Sequence, residues 1–393
     1  MRDYKQQYKN NKHMMNINKT MIMVLLACMG GLSWAASIPT PKPPSTNAKS
    51  YILVDHHTNH VIAEKNADER NDPASITKLM TAYIVYKALA QGSIELTDQV
   101  LVSEKAWRAP GSRMFIEVGT HVSIEQLLQG LIVQSGNDAS IALAEHIAGS
   151  ESAFADLMNA QAQALGLNNS HFMNATGLTD KQHYTTARDI ATLSRAIIHD
   201  FPQQYKRYSM REFTYNNITQ KNRNRLLWRD QSVDGLKTGH TDAAKYCLAS
   251  SAQRNGMRLI SVILGAPSSD ARVTQSQSLL NYGFRFFETH RLYEAQQSLM
   301  TRRIWYGEEK NIQLGVAQDV VITLARGRYK DIKPHLELPA RLEAPIQKGQ
   351  QIGKVIIAVS EDDSIEYDLI ALQDIQEAGF LSKLGDYVMG YFE

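Results

Sequence analysis

The chain has 393 residues, 43% hydrophobic and 21% charged, which is the composition of a globular protein and long enough for two or three folding units. The 42 Lys and Arg residues almost cancel the 40 Asp and Glu, leaving +2, and no basic tract with interleaved aromatics occurs. That balance gives no electrostatic case for nucleic acid as a partner. In chain order, residues 1–35 read first as an export signal. Lys12 and Lys19 precede an apolar stretch from Met21 to Leu32 and a small-residue exit at Ser33-Trp34-Ala35. Cleavage is expected after about Ala35, and the run is short for a membrane span. Met14 and Met15 are alternative starts, and "LLAC" at Leu25–Cys28 has the look of a lipoprotein box, but the apolar run continues past it. Once Cys28 leaves with the signal, Cys247 has no partner; its apolar strand context makes it a small buried hydrophobe.

Residues 36–48 form a Pro/Ser-rich linker. "YILVDHHTNHVIAEKN" alternates around a polar turn and predicts a hairpin, with His56, His57 and His60 solvated at its turn rather than binding metal. From Ser75 to about Leu89, apolar residues keep helical period behind the start signals Asp72 and Pro73. Further helical stretches fill the middle of the chain. "GLKTGHTDAAKYCLASSAQRNGMRLISVILGA" predicts strands at Tyr246–Gln253 and Met257–Leu264 around the hairpin signal Asn255-Gly256, with Lys237-Thr238-Gly239 at the start of an edge strand. A helix from "SSDARVTQSQSLLNYGFRFFET" follows. Strands, then helices, then strands with a closing helix describe an α+β domain over residues 49–289, its antiparallel sheet flanked by helices. Residues 290–377 read as short strands, a small β-sandwich-like domain. In 378–393, Phe380, Leu384, Tyr387, Val388 and Tyr391 share one stripe of an amphipathic helix suited to a membrane surface, without a basic face.

Three short motifs carry chemistry. Ser75 and Lys78 are three apart, one helical turn, so a lysine can act as base beside a serine nucleophile. Ser135-Gly136-Asn137 is a polar turn between apolar helices, and Lys237-Thr238-Gly239 lies at a sheet edge. Each has a bland reading alone: a cap with a solvated lysine, a helix connection, a strand start. S-x-x-K, S-x-N and K-T-G in this order are the penicillin-recognising serine acyl-transferase signature.

With "SGNDAS", "NATGL", "YTTARD", "LLWRD", "VDGLKTGHTD", "GFRFFET" and "RGRYKD", the chain resembles the D-alanyl-D-alanine carboxypeptidases, the low-molecular-weight penicillin-binding proteins of the type 5/6 subgroup. The resemblance covers nearly everything after the signal. It implies a catalytic domain of the penicillin-recognising transpeptidase/β-lactamase-like fold, a β-rich stalk, and a C-terminal helix on the outer face of the bacterial inner membrane, in the periplasm. It implies a peptidoglycan pentapeptide stem as substrate, β-lactam antibiotics as inhibitors, and no cofactor or metal. Ser75 would attack the D-Ala-D-Ala carbonyl. Lys78 would be the base, its pKa lowered by desolvation and by Lys237. Ser135 would relay a proton to the leaving amine, and Asn137 would hold Lys78 and the substrate amide. The backbone N–H groups of Ser75 and His240 would form the oxyanion hole. Gly239 allows close approach of the strand. Thr238 and Arg272 would bind the terminal carboxylate, with Arg188 and Arg113 as rival cations.

Two alternatives remain at this level. A serine β-lactamase shares the motifs, but its deacylating glutamate in E-x-x-L-N context is missing; Glu212–Asn216 has the bare spacing in a strand-like segment. A non-catalytic wall-binding scaffold has no need of Ser75, Lys78 and Lys237 together.

Overall fold

A computed structural model describes residues 40–359 and 364–389. The expected signal segment with Cys28, and Tyr391 at the other end, lie outside the described residues. The catalytic sheet contains β1 (Ser50–Asp55), β2 (Val61–Lys65), β3 (Val233–Thr241), β4 (Lys245–Arg254) and β5 (Met257–Ala266). Its order is β2-β1-β5-β4-β3, with every neighbouring pair antiparallel, so β3 is an edge strand. Strand alternation divides the apolar residues between two cores. Ile52, Val54, Ile260, Val262, Cys247 and Ala249 face one, shared with helices; Tyr51, Leu53, Leu259, Ile263 and Leu248 face the other, against the helix Ser269–Phe286. Both faces being covered, the middles of β4 and β5 are buried continuously rather than alternately.

The helices that matter for the site are α1 (Lys78–Ala90), α2 (Asn137–Ala148), α3 (Glu151–Ala164), α4 (Ala187–Asp200) and α5 (Ser269–Phe286). Thr186 and Ser268 cap α4 and α5 by accepting the N–H groups of Asp189 and Ala271. Asn255 and Gly256 take φ of 50° and 82°, the left-handed pair that a two-residue hairpin between β4 and β5 requires.

Two expectations need correction. Lys237-Thr238-Gly239 does not begin the edge strand: β3 starts four residues earlier, at Val233, because Asp234 is tied to Arg258 at 2.8 Å and to the Tyr205 hydroxyl at 2.6 Å. His57 and His60 are exposed, but His56 is buried, its pKa lowered to about 3 by desolvation and then by nearby cations. Arg195 of α4 holds it there by donating to the His56 carbonyl at 2.7 Å.

Beyond α5 come β6 (Phe287–Tyr293), β7 (Ser298–Arg303), β8 (Asn311–Val316), β9 (Val320–Ala325), β10 (Pro334–Glu337), β11 (Gln351–Ala358) and β12 (Ser364–Ala371). β6 pairs with β9, and the other five form a sheet in the order β7-β8-β12-β11-β10 around a third apolar core. Thr289 of β6 donates to Asp55 at 2.7 Å, joining this layer to the end of β1.

The last helix, α6 (Phe380–Met389), exposes Phe380, Leu384, Tyr387 and Val388. Asp386 is its exception, only 4% exposed. It accepts the Tyr306 N–H at 2.8 Å and pairs with Lys310 at 3.0 Å. The helix therefore turns its carboxylate inward and its apolar stripe outward. Among the described residues no helix is long and apolar enough to cross a membrane.

Candidate active site

Ser75 sits in a single 3-10 turn, Ala74–Thr77, immediately before α1, so Lys78 is the first residue of that helix. Asn137 is likewise the first residue of α2. The N-termini of two helices thus open on one place, where the aligned peptide dipoles disfavour positive charge. The edge strand β3 brings Lys237, Thr238, Gly239 and His240 alongside, and α5 brings Arg272. All except the two buried lysines line one cavity of about 400 Å³ with Ser75, Ser135 and Asn137.

Lys78 is fully buried. Its Nζ lies 2.6 Å from Asn137 Oδ1, 2.6 Å from the Thr176 carbonyl and 3.1 Å from Ser75 Oγ. The first two partners are oxygens that only accept. A neutral amine has two N–H groups and one lone pair, so those oxygens consume its hydrogens and leave the lone pair for the Ser75 O–H. Desolvation, opposed by the charge of Asp138 and reinforced by Arg223, lowers the Lys78 pKa to about 7. Arg223 thus joins the expected Lys237 as a cation near Lys78, the two lysines repelling one another. Lys237 is buried too and lies 2.8 Å from Ser135 Oγ. Burial, then Lys78, Arg223 and Arg272, push its pKa well below the ordinary range.

The backbone is held in costly conformations here. Ala74 has φ 46°, Phe115 70° and Ser135 67°, each costing about 1–3 kcal/mol. Gly177, at φ 83°, is required: a Cβ there would lie 1.9 Å from the Ala74 carbonyl oxygen. Gly239 passes close as expected, with a built Cβ 3.1 Å from the Pro73 carbonyl. Arg272 lines the cavity, but one terminal nitrogen donates to the carbonyls of Gly239 at 2.8 Å and Cys247 at 3.3 Å. Of its rivals, Arg188 is spent on Glu64 and Asp68 away from the cavity, whereas Arg113 lines it. Cys247 is buried, and desolvation raises its pKa to about 11, which makes it an inert filler.

Two residues escaped sequence reasoning. Arg223 lines the cavity and bonds the Gln134 carbonyl at 3.1 Å; a lone arginine in a loop carries no motif. Asp138 is fully buried and accepts the N–H groups of Met114, Phe115 and Ile116 at 3.0, 2.8 and 3.3 Å, fixing the cavity's rim. Its place directly after Ser135-Gly136-Asn137 was the available signal.

Residues 37–268 match the family model described as D-alanyl-D-alanine carboxypeptidase, and residues 287–377 match that of the penicillin-binding protein 5 C-terminal domain. The chain is 42% identical to D-alanyl-D-alanine carboxypeptidase DacC of Escherichia coli over 91% of either chain. It is 38% identical to DacF of Bacillus subtilis over 86% of this chain and 88% of that one. The crystal structure of penicillin-binding protein 5 from Haemophilus influenzae superposes with a TM-score of 0.81 at 42% identity, covering 86% of this chain and 100% of that one.

Proposed function

The chain belongs to the D-alanyl-D-alanine carboxypeptidase family of serine peptidases, and from that premise we propose that it removes the terminal D-alanine of peptidoglycan pentapeptide stems through an acyl-enzyme on Ser75. The carrying observation is the buried Lys78 amine, whose two acceptor-only partners reserve its lone pair for the Ser75 hydroxyl. Ser75 Oγ attacks the penultimate D-Ala carbonyl as its proton passes to Lys78. The oxyanion is met by the N–H groups of Ser75 and His240. The C–N bond breaks, free D-Ala leaves with a proton delivered through Ser135 beside Lys237, and water hydrolyses the ester. Thr238 and Arg272 take the substrate's terminal carboxylate, Gly239 lets the edge strand close on it, and Asn137 holds Lys78. Arg223 depresses Lys78. A β-lactam follows the same acylation and stays as a slowly hydrolysed adduct.

Among the described residues no Asp or Glu lines the cavity, and Glu212 lies in the short strand Glu212–Tyr215 outside it. That argues against a β-lactamase with a glutamate-activated water. Release of D-Ala from diacetyl-Lys-D-Ala-D-Ala, with a long-lived penicillin adduct located on Ser75 by mass spectrometry, is the expected result. Fast penicillin turnover would favour the β-lactamase, and neither activity the scaffold.

The same proposal places the enzyme in the periplasm, exported by residues 1–35, with α6 lying on the outer face of the inner membrane. The outward stripe of α6 supports that placement. Vesicle sedimentation of the full chain against a chain ending at Ala378 tests it; equal solubility would overturn it.

A further inference from the structure

A second cavity, of about 500 Å³, lies where the catalytic domain meets the β-rich one, and domain junctions are a frequent place for ligand sites. It shares no lining residue with the cavity around Ser75. Its walls come from the Asn255 hairpin, the last turns of α5, the start of β6, and Arg326 just beyond β9. Two sequence segments that acyl transfer leaves unused meet here: "GFRFFET" at Gly283–Thr289 and "RGRYKD", which begins at Arg326.

Arg254, Arg285 and Arg326 line this cavity against one carboxylate, Glu288. Most of that charge is already committed. Arg254 pairs with Asp230 at 2.6 Å. Arg326 donates to the carbonyls of Phe284, Arg285 and Phe287 at 3.0, 3.2 and 3.1 Å, which satisfies the open end of α5. Glu288 accepts the Gly327 N–H at 2.8 Å and lies 3.4 Å from both Arg326 and His290. Arg285 is the exception. Its guanidinium stands 5.4 Å from the Phe286 ring centroid, and among the described residues it has no hydrogen bond or ion pair.

The helix dipole accounts for a cation in the last turn of α5. It does not account for the amides on the same walls. Asn281, four residues before Arg285 and so on the same helix face, gives its oxygen to Arg254 at 2.9 Å and has its N–H groups left over. The Asn255 side chain has no hydrogen bond among the described residues, and it too lines the cavity. The uncommitted groups are therefore a guanidinium and amides, beside the apolar surface of Phe284 and Met257.

We propose that this cavity binds a small organic acid. Its carboxylate lies on the Arg285 guanidinium and the Asn281 amide, and its aliphatic chain lies against Phe284 and Met257. The site is separate from acyl transfer and stands without the carboxypeptidase reading.

A ligand-observed NMR titration of the full chain with hexanoate, hexanamide, acetate and inorganic phosphate tests it. Hexanoate should bind about three- to tenfold more tightly than hexanamide, the range from an exposed ion pair to a charge-assisted hydrogen bond. It should exceed acetate, which lacks the chain, by about tenfold. In Arg285→Gln the advantage over hexanamide should vanish; Arg285→Lys should keep part of it, weakening with salt. Arg285 is exposed and leaves no partner stranded, so the unliganded thermal midpoint of Arg285→Gln should match the parent's and separate lost binding from lost fold. Hexanoate binding that is absent from the parent, or equal in parent and Arg285→Gln, overturns the site, the second result placing the acid elsewhere. Acetate binding as tightly as hexanoate overturns the apolar wall. Phosphate binding more tightly than hexanoate, and lost in Arg285→Gln, overturns the organic acid in favour of a tetrahedral anion.

Discussion

Arg272 and Arg258 are both largely buried arginines attached to the same sheet, yet their surroundings push them in opposite directions. Arg258 reaches Asp234 with two nitrogens, at 2.8 and 2.9 Å. Burial alone would lower its pKa, but Asp234 and Tyr205 outweigh it and the pKa rises. Arg272 has burial, carbonyl partners and a neighbouring Arg223, and its pKa falls to about 10. The same contrast separates the two regions as wholes. At Asp234–Arg258 each charge has its counter-ion and the cluster holds the start of β3. Around Ser75, Lys78, Lys237, Arg223 and Arg272 are crowded without a lining carboxylate, and the pKa values of both lysines fall. Pairing makes a strut, and withheld pairing makes a base.

The largest effects should come from the unpaired region. Ser75→Ala should abolish the penicillin adduct, and Lys78→Ala should reduce kcat/KM by about 10⁴-fold, the scale seen when a nucleophile or its base is removed. Ser75→Ala removes a half-buried hydroxyl and leaves Lys78 its bonds to Asn137 and Thr176, so thermal unfolding of that variant should move little. A Lys78→Ala protein that retains more than a tenth of the activity would defeat the assignment of base. In the paired region the pattern should reverse. Arg258→Met strands Asp234, a partly exposed carboxylate, and should cost about 2–3 kcal/mol of stability, less than a fully buried pair would lose. Calorimetry on the variant, alongside a D-Ala assay at low temperature, separates the two behaviours; lost activity without lost stability would erase the contrast.

Much of the paired architecture was readable in advance because it follows periodicity. Alternation gave β1, β4 and β5, Asn255-Gly256 gave their hairpin, and the three motifs put Ser75, Lys78, Ser135, Asn137 and Lys237 in one place. Helical spacing also gave the outward stripe of α6. What periodicity does not encode is long-range charge. Arg223 meets Lys78 from 145 positions away, as any two residues far apart in sequence can, so this further cation beside the base had no local mark. The inward turn of Asp386 had no local mark either, because helical phase alone does not say what the neighbouring domain presents to it. His56 was placed in water with its neighbours, and contacts with Arg195 on α4 and the Arg258 carbonyl on β5 remove it.

Arg223 also offers the sharpest pH experiment. Lys78 must be neutral to accept the Ser75 proton, so acylation should rise about tenfold per pH unit below the Lys78 pKa and level off above about 7. Arg223 lowers that pKa by opposing the ammonium form. Arg223→Gln should therefore raise it and move the inflection toward higher pH by about one unit, equivalent to about 1.4 kcal/mol. Arg258→Met should leave the inflection where it is. Stopped-flow acylation by a chromogenic β-lactam between pH 5 and 9 reads both; an inflection that stays at 7 in Arg223→Gln would remove Arg223 from the tuning of Lys78.

The smallest effect concerns the other strut, Asp386. Burial raises its pKa, but Lys310, the Tyr306 N–H and Arg303 outweigh that and hold it below the ordinary 3.8. Its contribution is accordingly complete above about pH 4 and lost only as pH falls through the lower folded value, so changes around neutrality leave α6 docked. Asp386→Asn keeps an acceptor for the Tyr306 N–H and loses only the ionic part against Lys310, which is 49% exposed, and the more distant Arg303 at 3.8 Å. The expected cost is about 1 kcal/mol or less. It should appear as faster amide exchange in Phe380–Met389 with no change in D-Ala release, because no described residue of α6 lines the cavity. Protection of α6 unaltered in Asp386→Asn would mean that backbone and apolar contacts alone fix the helix, and that this carboxylate is a passenger rather than a strut.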